Sequence, residues 1–144
     1  MTAVGTSNNQ IRVAIYTLLH GDATLQGLVT GVFDLGGVPE NQAFPYVVLG
    51  ESTELSFSAE WGDTFDTRGY NNTLSVHLWD QARGFQRLYT ILARMNVLLH
   101  RQTLSLSSIT HVGTWYMNAI QLMDSDGITQ HVMARYRIFS NEPV

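Results

Sequence analysis

The sequence lacks several residue types on which common classes of protein site depend. None of its 144 residues is cysteine, which excludes disulfides, thiolate zinc sites and cysteine nucleophiles. Lysine is also missing, so the eight basic residues are all arginine, against twelve acidic ones. A net charge of −4 argues against a protein that holds nucleic acid by neutralising phosphates, since that mode needs a basic surface.

Charged residues of either sign are scarce. They make up 14% of the chain, against roughly 25% in soluble domains. Two interpretations are open: a monomer rich in uncharged polar side chains, or a subunit whose neutral surface is covered by other subunits. No apolar run is long enough to cross a bilayer, and residues 1–10 show no signal-peptide pattern. We expect a single domain, residues 1–144, that folds in a bacterial-type cytoplasm.

Two regions have the apolar spacing of helices. The first places five apolar residues on one helix face: Ile11, Ala14, Ile15, Leu18 and Leu19. Gly21 suits the end of this helix, and Asp22 is placed to cap a second, short helix through Leu25, Leu28 and Val29. The second region, residues 84–100, repeats the pattern at Phe85, Leu88, Leu92, Met95 and Leu99.

The remaining segments indicate strands. Alternation or short apolar runs occur from residue 46, at 74–79, at 111–123 and at 128–139, and an Asp-Ser-Asp-Gly turn joins the last two. Residues 31–45 are interpreted as a loop, and residues 59–72 as a flexible hairpin tip or arm. The order α-α-β-β-α-β-β predicts an α+β fold, with a mainly antiparallel sheet of about four strands packed against two to three helices.

Arg83, Arg87, Arg94 and Arg101 form a stripe along the predicted third helix. At about 100° per residue they fall within an arc of roughly 40°, opposite the main apolar face. Three roles are open: a solvated basic face, contact with passing DNA, or a subunit interface in which arginine forks meet carboxylates of a neighbour. The candidate interface residues are Arg83, Arg87, Arg94, Arg101, Glu54, Glu60, Trp61 and Asp63.

No arrangement of residues indicates catalysis or a metal site. The five histidines lack the spacing of metal ligands, and residues 124–127 lack the later acidic ligand that a calcium loop needs. Nucleophile elbows and phosphate-binding glycine loops are also missing. We therefore expect no enzyme, cofactor or metal, and we expect Trp79 and Trp115 to fill the core.

Three stretches, in order, resemble the tail completion family of long-tailed phages and gene transfer agents. The first comprises residues 14–16, 22–23, 28–29, 32–34 and 44–50. The second comprises residues 74–79, Gly84 and residues 87–99. The third comprises residues 124–127, His131 and residues 135–137. No single stretch is diagnostic; the resemblance depends on their order and spacing, and it is weakest at residues 59–72.

This resemblance implies a structural virion protein at the head-proximal end of the tail, assembled in the host cytoplasm. Such a protein would form a ring, usually a hexamer, that terminates the tail tube and joins it to the head connector. Its partners would be its own copies, the tail tube protein and the head-completion protein, with DNA passing through the channel. A head-side adaptor or stopper, or a small ligand-binding domain, is the alternative. We expect Arg87→Glu with Arg94→Glu to prevent ring assembly without unfolding the subunit.

Overall fold

The computed structural model describes residues 7–56 and 67–143. Within them the chain forms three helices and five strands. These are α1 (Ser7–Gly21), α2 (Ala23–Gln26), β1 (Val32–Asp34), β2 (Tyr46–Ser56), β3 (Thr67–Asp80), α3 (Gln86–Leu99), β4 (Thr110–Met123) and β5 (Gln130–Pro143). The strands form one sheet in the order β1-β2-β3-β5-β4. Only β1 is parallel to its neighbour, so the predicted α+β class is confirmed.

The core lies between the helices and one face of the sheet. Ile11, Ile15 and Leu19 of α1 are buried, at the spacing that the sequence predicts. The sheet contributes every second residue of its two central strands: Leu74, Val76, Leu78, Val132, Ala134, Tyr136 and Ile138. Burial of each large apolar side chain contributes about 1.5–3 kcal/mol. These buried residues alternate along their strands and therefore all lie on one face of the sheet. The described helices pack on that face and leave the opposite face uncovered.

Local signals set the ends of the short elements as predicted. Asp22 is the N-cap of α2 and accepts the backbone N–H of Leu25 at 2.8 Å. At the β4–β5 turn, Gly127 has φ of 71°, a conformation that favours glycine. The N–H of Asp124 closes this hairpin by donating to the carbonyl of Thr129 at 2.8 Å. The predicted cap and turn are confirmed.

Two segments differ from their sequence-based interpretation. The expected loop at residues 31–45 contains β1, which pairs in parallel with β2 and raises the strand count from about four to five. The expected arm at residues 59–72 is wrong from residue 67 onward, because β3 begins there and pairs with β5 along its whole length. Tyr70 and Asn72 are buried in that segment. Residues 59–66 lie outside the described part of the chain.

Candidate functional site

Arg87 on α3 is bound to a carboxylate of its own subunit. Its Nε donates to Oδ2 of Asp80 at 2.8 Å, and its Nη2 donates to Oδ1. Asp80, at the end of β3, is fully buried and also accepts the backbone N–H of Gln81 at 2.8 Å. The hydrogen bond to Asp80 raises the pKa of the Arg87 guanidinium. Two of the five N–H donors of this guanidinium are therefore used within the subunit, and a contact of Arg87 with a neighbour's carboxylate stays a prediction.

Arg94 is likewise used within the subunit. Its Nε and Nη2 donate to the two carboxylate oxygens of Asp22 at 2.9 and 2.8 Å, which ties α3 to the cap of α2. The hydrogen bond from Arg94, followed by that from Leu25, lowers the pKa of Asp22 to about 2. As for Arg87, a contact of Arg94 with a neighbouring subunit stays a prediction. A carboxylate that serves both as helix cap and as ion-pair partner fixes the helix layer.

The other two arginines of the predicted stripe lie outside α3. Arg83 precedes the helix and Arg101 follows it, and both are exposed. Neither forms an ion pair with any residue in the described ranges. The helix is shorter than the stripe because it ends at Leu99, after which Arg101 adopts φ of 59° and donates its backbone N–H to Thr114 at 2.7 Å.

Glu54 lies at the beginning of α1. Its carboxylate accepts hydrogen bonds from the hydroxyl of the buried Ser7 and from the backbone N–H of Asn8. A carboxylate in this position is favourable because the N-terminus of a helix carries partial positive charge. Glu54 therefore joins β2 to α1 inside the subunit. The other candidate interface residues from the same region, Glu60, Trp61 and Asp63, lie outside the described residues.

Aromatic side chains concentrate on the uncovered face of the sheet. Trp79 stacks on His131 with ring centroids 3.9 Å apart, and Trp115 meets Phe139 edge-on at 5.5 Å. Trp115 is 37% exposed and Trp79 is half-buried. The expectation that both tryptophans fill the core is wrong, because each points away from the helices. Alternation identifies a strand but does not identify which of its faces is covered.

Two histidines occupy the middle of this face. Nδ1 of His77 lies 2.6 Å from Nε2 of His131, and Nε2 of His77 lies 3.0 Å from Oε1 of Glu51. Burial, followed by the charge of His77, lowers the pKa of His131 to about 4. Among the described residues no group of three or more potential ligands could hold a metal ion. The histidine pair is thus a packed, hydrogen-bonded feature of the surface.

The outermost strand, β4, exposes six large apolar side chains between 37% and 58%. We call this set the β4 strip: Val112, Trp115, Met117, Ile120, Leu122 and Met123. Its exposed apolar area is on the order of 500 Å², about as large as the largest patch on an ordinary monomer. Residues 102–123 contain no aspartate, glutamate or arginine. An edge strand this apolar is a surface that proteins normally cover.

A neutral groove lies on the other side of the molecule, against the helix layer. It has a volume of about 710 Å³ between α1 and residues 103–107. Its lining carries no formal charge: Asn9, Gln10, Val13, Ala14, Thr17, Leu18, Thr103, Leu104, Ser105, Leu106 and Ser107. Val13 on its α1 wall is 57% exposed. None of the described helices is long and apolar enough to cross a membrane.

Comparisons with known proteins match the chain to a family model and to a solved structure. A family model described as tail completion protein gp17 matches residues 13–140. The chain is also similar to one in a solved structure titled "Virion of native gene transfer agent (GTA) particle". That alignment has a TM-score of 0.83 and 23% identity, and it covers 96% of this chain and 99% of the other. At this identity the likeness shows a shared fold. A search of curated proteins finds no match.

Proposed function

The chain belongs to the tail completion protein gp17 family, since the family's model matches residues 13–140, and from this premise we propose that it terminates a tail tube. It is a structural tail protein of a phage or gene transfer agent. Its copies would form a ring, most simply a hexamer, on the last ring of the tube. The ring would stop tube growth, receive the head-completion protein and leave a channel for DNA.

The observation that carries this proposal is the neutral edge of the sheet. The β4 strip is about as large as the largest patch that an ordinary monomer exposes, and it carries no charged side chain. The low overall charge extends this neutrality to much of the chain. Interfaces between permanent subunits have the same character, with apolar centres and few charges. A subunit made to be covered by its own copies and by the virion neck accounts for both observations.

We propose a structural role and no catalytic one. Each feature that resembles a reactive site is used for packing: Arg87 holds Asp80, Arg94 holds Asp22, and His131 stacks on Trp79. The protein would function within the virion, at the head-proximal end of the tail, after assembly in the host cytoplasm. The exposed Arg83 and Arg101 remain candidates for contacts with a neighbour or with DNA.

Electron microscopy of particles produced with and without this protein tests the proposal. Without it we expect overlong or unjoined tail tubes together with DNA-filled heads that lack tails. Addition of purified protein to isolated tubes should place a ring at one end and restore joining. Tails of normal length that join heads in its absence would contradict the assignment.

A head-side adaptor or stopper is the alternative role within the virion. The two roles differ in their first partner, because a tail terminator binds isolated tubes and a head-side protein binds DNA-filled capsids. Co-sedimentation with each purified particle separates them. Binding to capsids alone would transfer the assignment to the head side.

A further inference from the structure

We infer that the β4 strip of one copy docks into the groove between α1 and residues 103–107 of the next copy. The inference rests on the proposed ring and specifies the contact that would build it. The candidate interface expected from the sequence was the arginine stripe. Two of its members, Arg87 and Arg94, are bound to carboxylates of their own subunit, and the β4 strip is a second, uncharged surface that a contact between copies can use.

The exposed area is of the size that a stable contact requires. A standard interface buries about 800 Å² on each partner. The six apolar side chains of the β4 strip supply on the order of 500 Å². Thr110 and Asn118 are exposed on the same face of β4 as Trp115, Ile120 and Leu122, whereas Gln121 and Met123 pair with helix-side residues of β5. The strip therefore supplies about half or more of one side of such a contact.

Neutrality matches the two surfaces. The β4 strip lies within residues 102–123, which carry no formal charge, and the groove is lined by uncharged residues throughout. Burial of an unpaired charge costs several kcal/mol, so an uncharged strip is best covered by an uncharged surface. Elsewhere the described surface carries charges, among them the exposed Arg83, Arg101 and Arg135. The groove is thus a surface of the same protein that the strip can meet without such a cost.

The groove is formed before docking. Gln10 on α1 and Ser108 are joined by two hydrogen bonds, Nε2 to Oγ at 2.8 Å and backbone N–H to Oε1 at 3.0 Å. These bonds hold the segment after α3 against α1. The buried Leu104 anchors the same segment in the core. A preformed groove lowers the ordering cost of association.

The placement of the two surfaces fits a ring. Trp115, Ile120 and Leu122 of the strip are paired with uncovered-face residues of β5, whereas the groove lies on the helix layer on the opposite side. A contact between two different surfaces leaves one of each free at the ends of a growing assembly, and it forms a ring when the rotation between copies closes. Contact of β4 with β4 would stop at two copies and leave the groove open.

Cross-linking tests this contact directly because the chain contains no cysteine. Ile120→Cys on the strip and Val13→Cys in the groove are prepared as separate single variants and mixed on tail tubes with a short bis-maleimide. We expect covalent dimers in the mixture and none with either variant alone. The variant that carries both cysteines should give a ladder of multimers. Leu35→Cys, at a similarly exposed apolar position in the β1–β2 loop, replaces Val13→Cys in the control and should give no dimer.

A charge substitution gives an independent measurement. Ile120→Glu with Leu122→Glu is expected to lower ring yield at least tenfold in mass photometry, with an unchanged circular dichroism spectrum. Leu35→Glu should leave the yield unchanged. Rings that assemble normally with both glutamates and give no cross-link between residues 120 and 13 would overturn the inference and leave the proposed function intact. Normal termination of tails without any of this protein would instead overturn the proposed function.

Discussion

Replacement of Arg87 by glutamate should destabilise the subunit, whereas the expectation from the sequence is that it leaves the fold unchanged. Asp80 is fully buried, and Arg87 provides the guanidinium that neutralises it. Removal of one partner of a buried ion pair costs about 3–5 kcal/mol. Since the Arg87 side chain is half exposed, solvent screens part of this cost, and about 3 kcal/mol is the expected loss. A new carboxylate beside Asp80 adds repulsion.

The loss is measurable by thermal and urea unfolding followed by circular dichroism. For a domain of this size 1 kcal/mol corresponds to a shift in Tm of roughly 2–4 °C, so Arg87→Glu should lower the Tm by about 10 °C. Arg83→Glu makes the same change of charge at an exposed residue without an ion pair, and it should alter the unfolding free energy by less than about 0.5 kcal/mol. An Arg87→Glu protein as stable as the Arg83→Glu control would refute the reasoning.

Three further predictions follow from buried groups. Tyr136→Phe removes a 2.6 Å hydrogen bond to Asn96 and should cost about 1–2 kcal/mol of unfolding free energy in urea. Ile15→Ala, at a fully buried position of α1, should cost about 2–5 kcal/mol by the same measurement. The pKa of His131 is about 4 in the folded state, below the value near 6.5 of an unfolded histidine. The folded state therefore binds fewer protons than the unfolded state. The unfolding free energy is consequently highest above pH 6.5 and decreases as the pH falls toward 4. In urea unfolding measured across this pH range, the unfolding free energy of the wild-type protein should fall by about 2 kcal/mol more than that of His131→Phe.

Each of these predictions has a matched control. Tyr89→Phe removes a hydroxyl from an exposed tyrosine whose partner is Gln121, and it should have almost no effect. Val13→Ala, on the exposed side of α1, should cost less than about 0.5 kcal/mol. His20→Phe, at an exposed histidine, should change the unfolding free energy at neutral pH by less than about 0.5 kcal/mol. If a control and its test variant lost the same stability, burial would not be the cause.

Elements that face a single layer could be predicted from the sequence. The apolar spacing of α1 and α3 arises because each helix contacts the sheet along one side. The cap at Asp22 and the turn at Gly127 are equally local. β1 could not be predicted, because its three residues are too few to show a period. β1 pairs in parallel with residues 47–49 of β2, which lie beyond the loop that follows β1.

The contacts of the candidate site were harder to predict from the sequence than the helices were. Spacing gives the angle of an arginine around a helix, but the side chain that meets it comes from elsewhere in the fold. Asp22 lies 72 residues before Arg94, and no local pattern links them. The low charge correctly indicated an unusual neutral surface, whereas its position on β4 depends on which strand is outermost. Trp115 shows the difference, since its exposure follows from the face of β4 on which it lies, and no described helix covers that face.

The irregular edge of β4 explains how a neutral strip can be selective. Its pairing with β5 shifts register between His111 and Gly113 and again between Tyr116 and Asn118. Bulges of this kind increase twist and disfavour the addition of an arbitrary strand to the exposed edge. Recognition must then depend on the fit of side chains into a shaped surface rather than on a continuous ladder of backbone hydrogen bonds. In the docking that we infer, the groove of about 710 Å³ on the next copy would provide such a surface, and an unrelated strand edge would not.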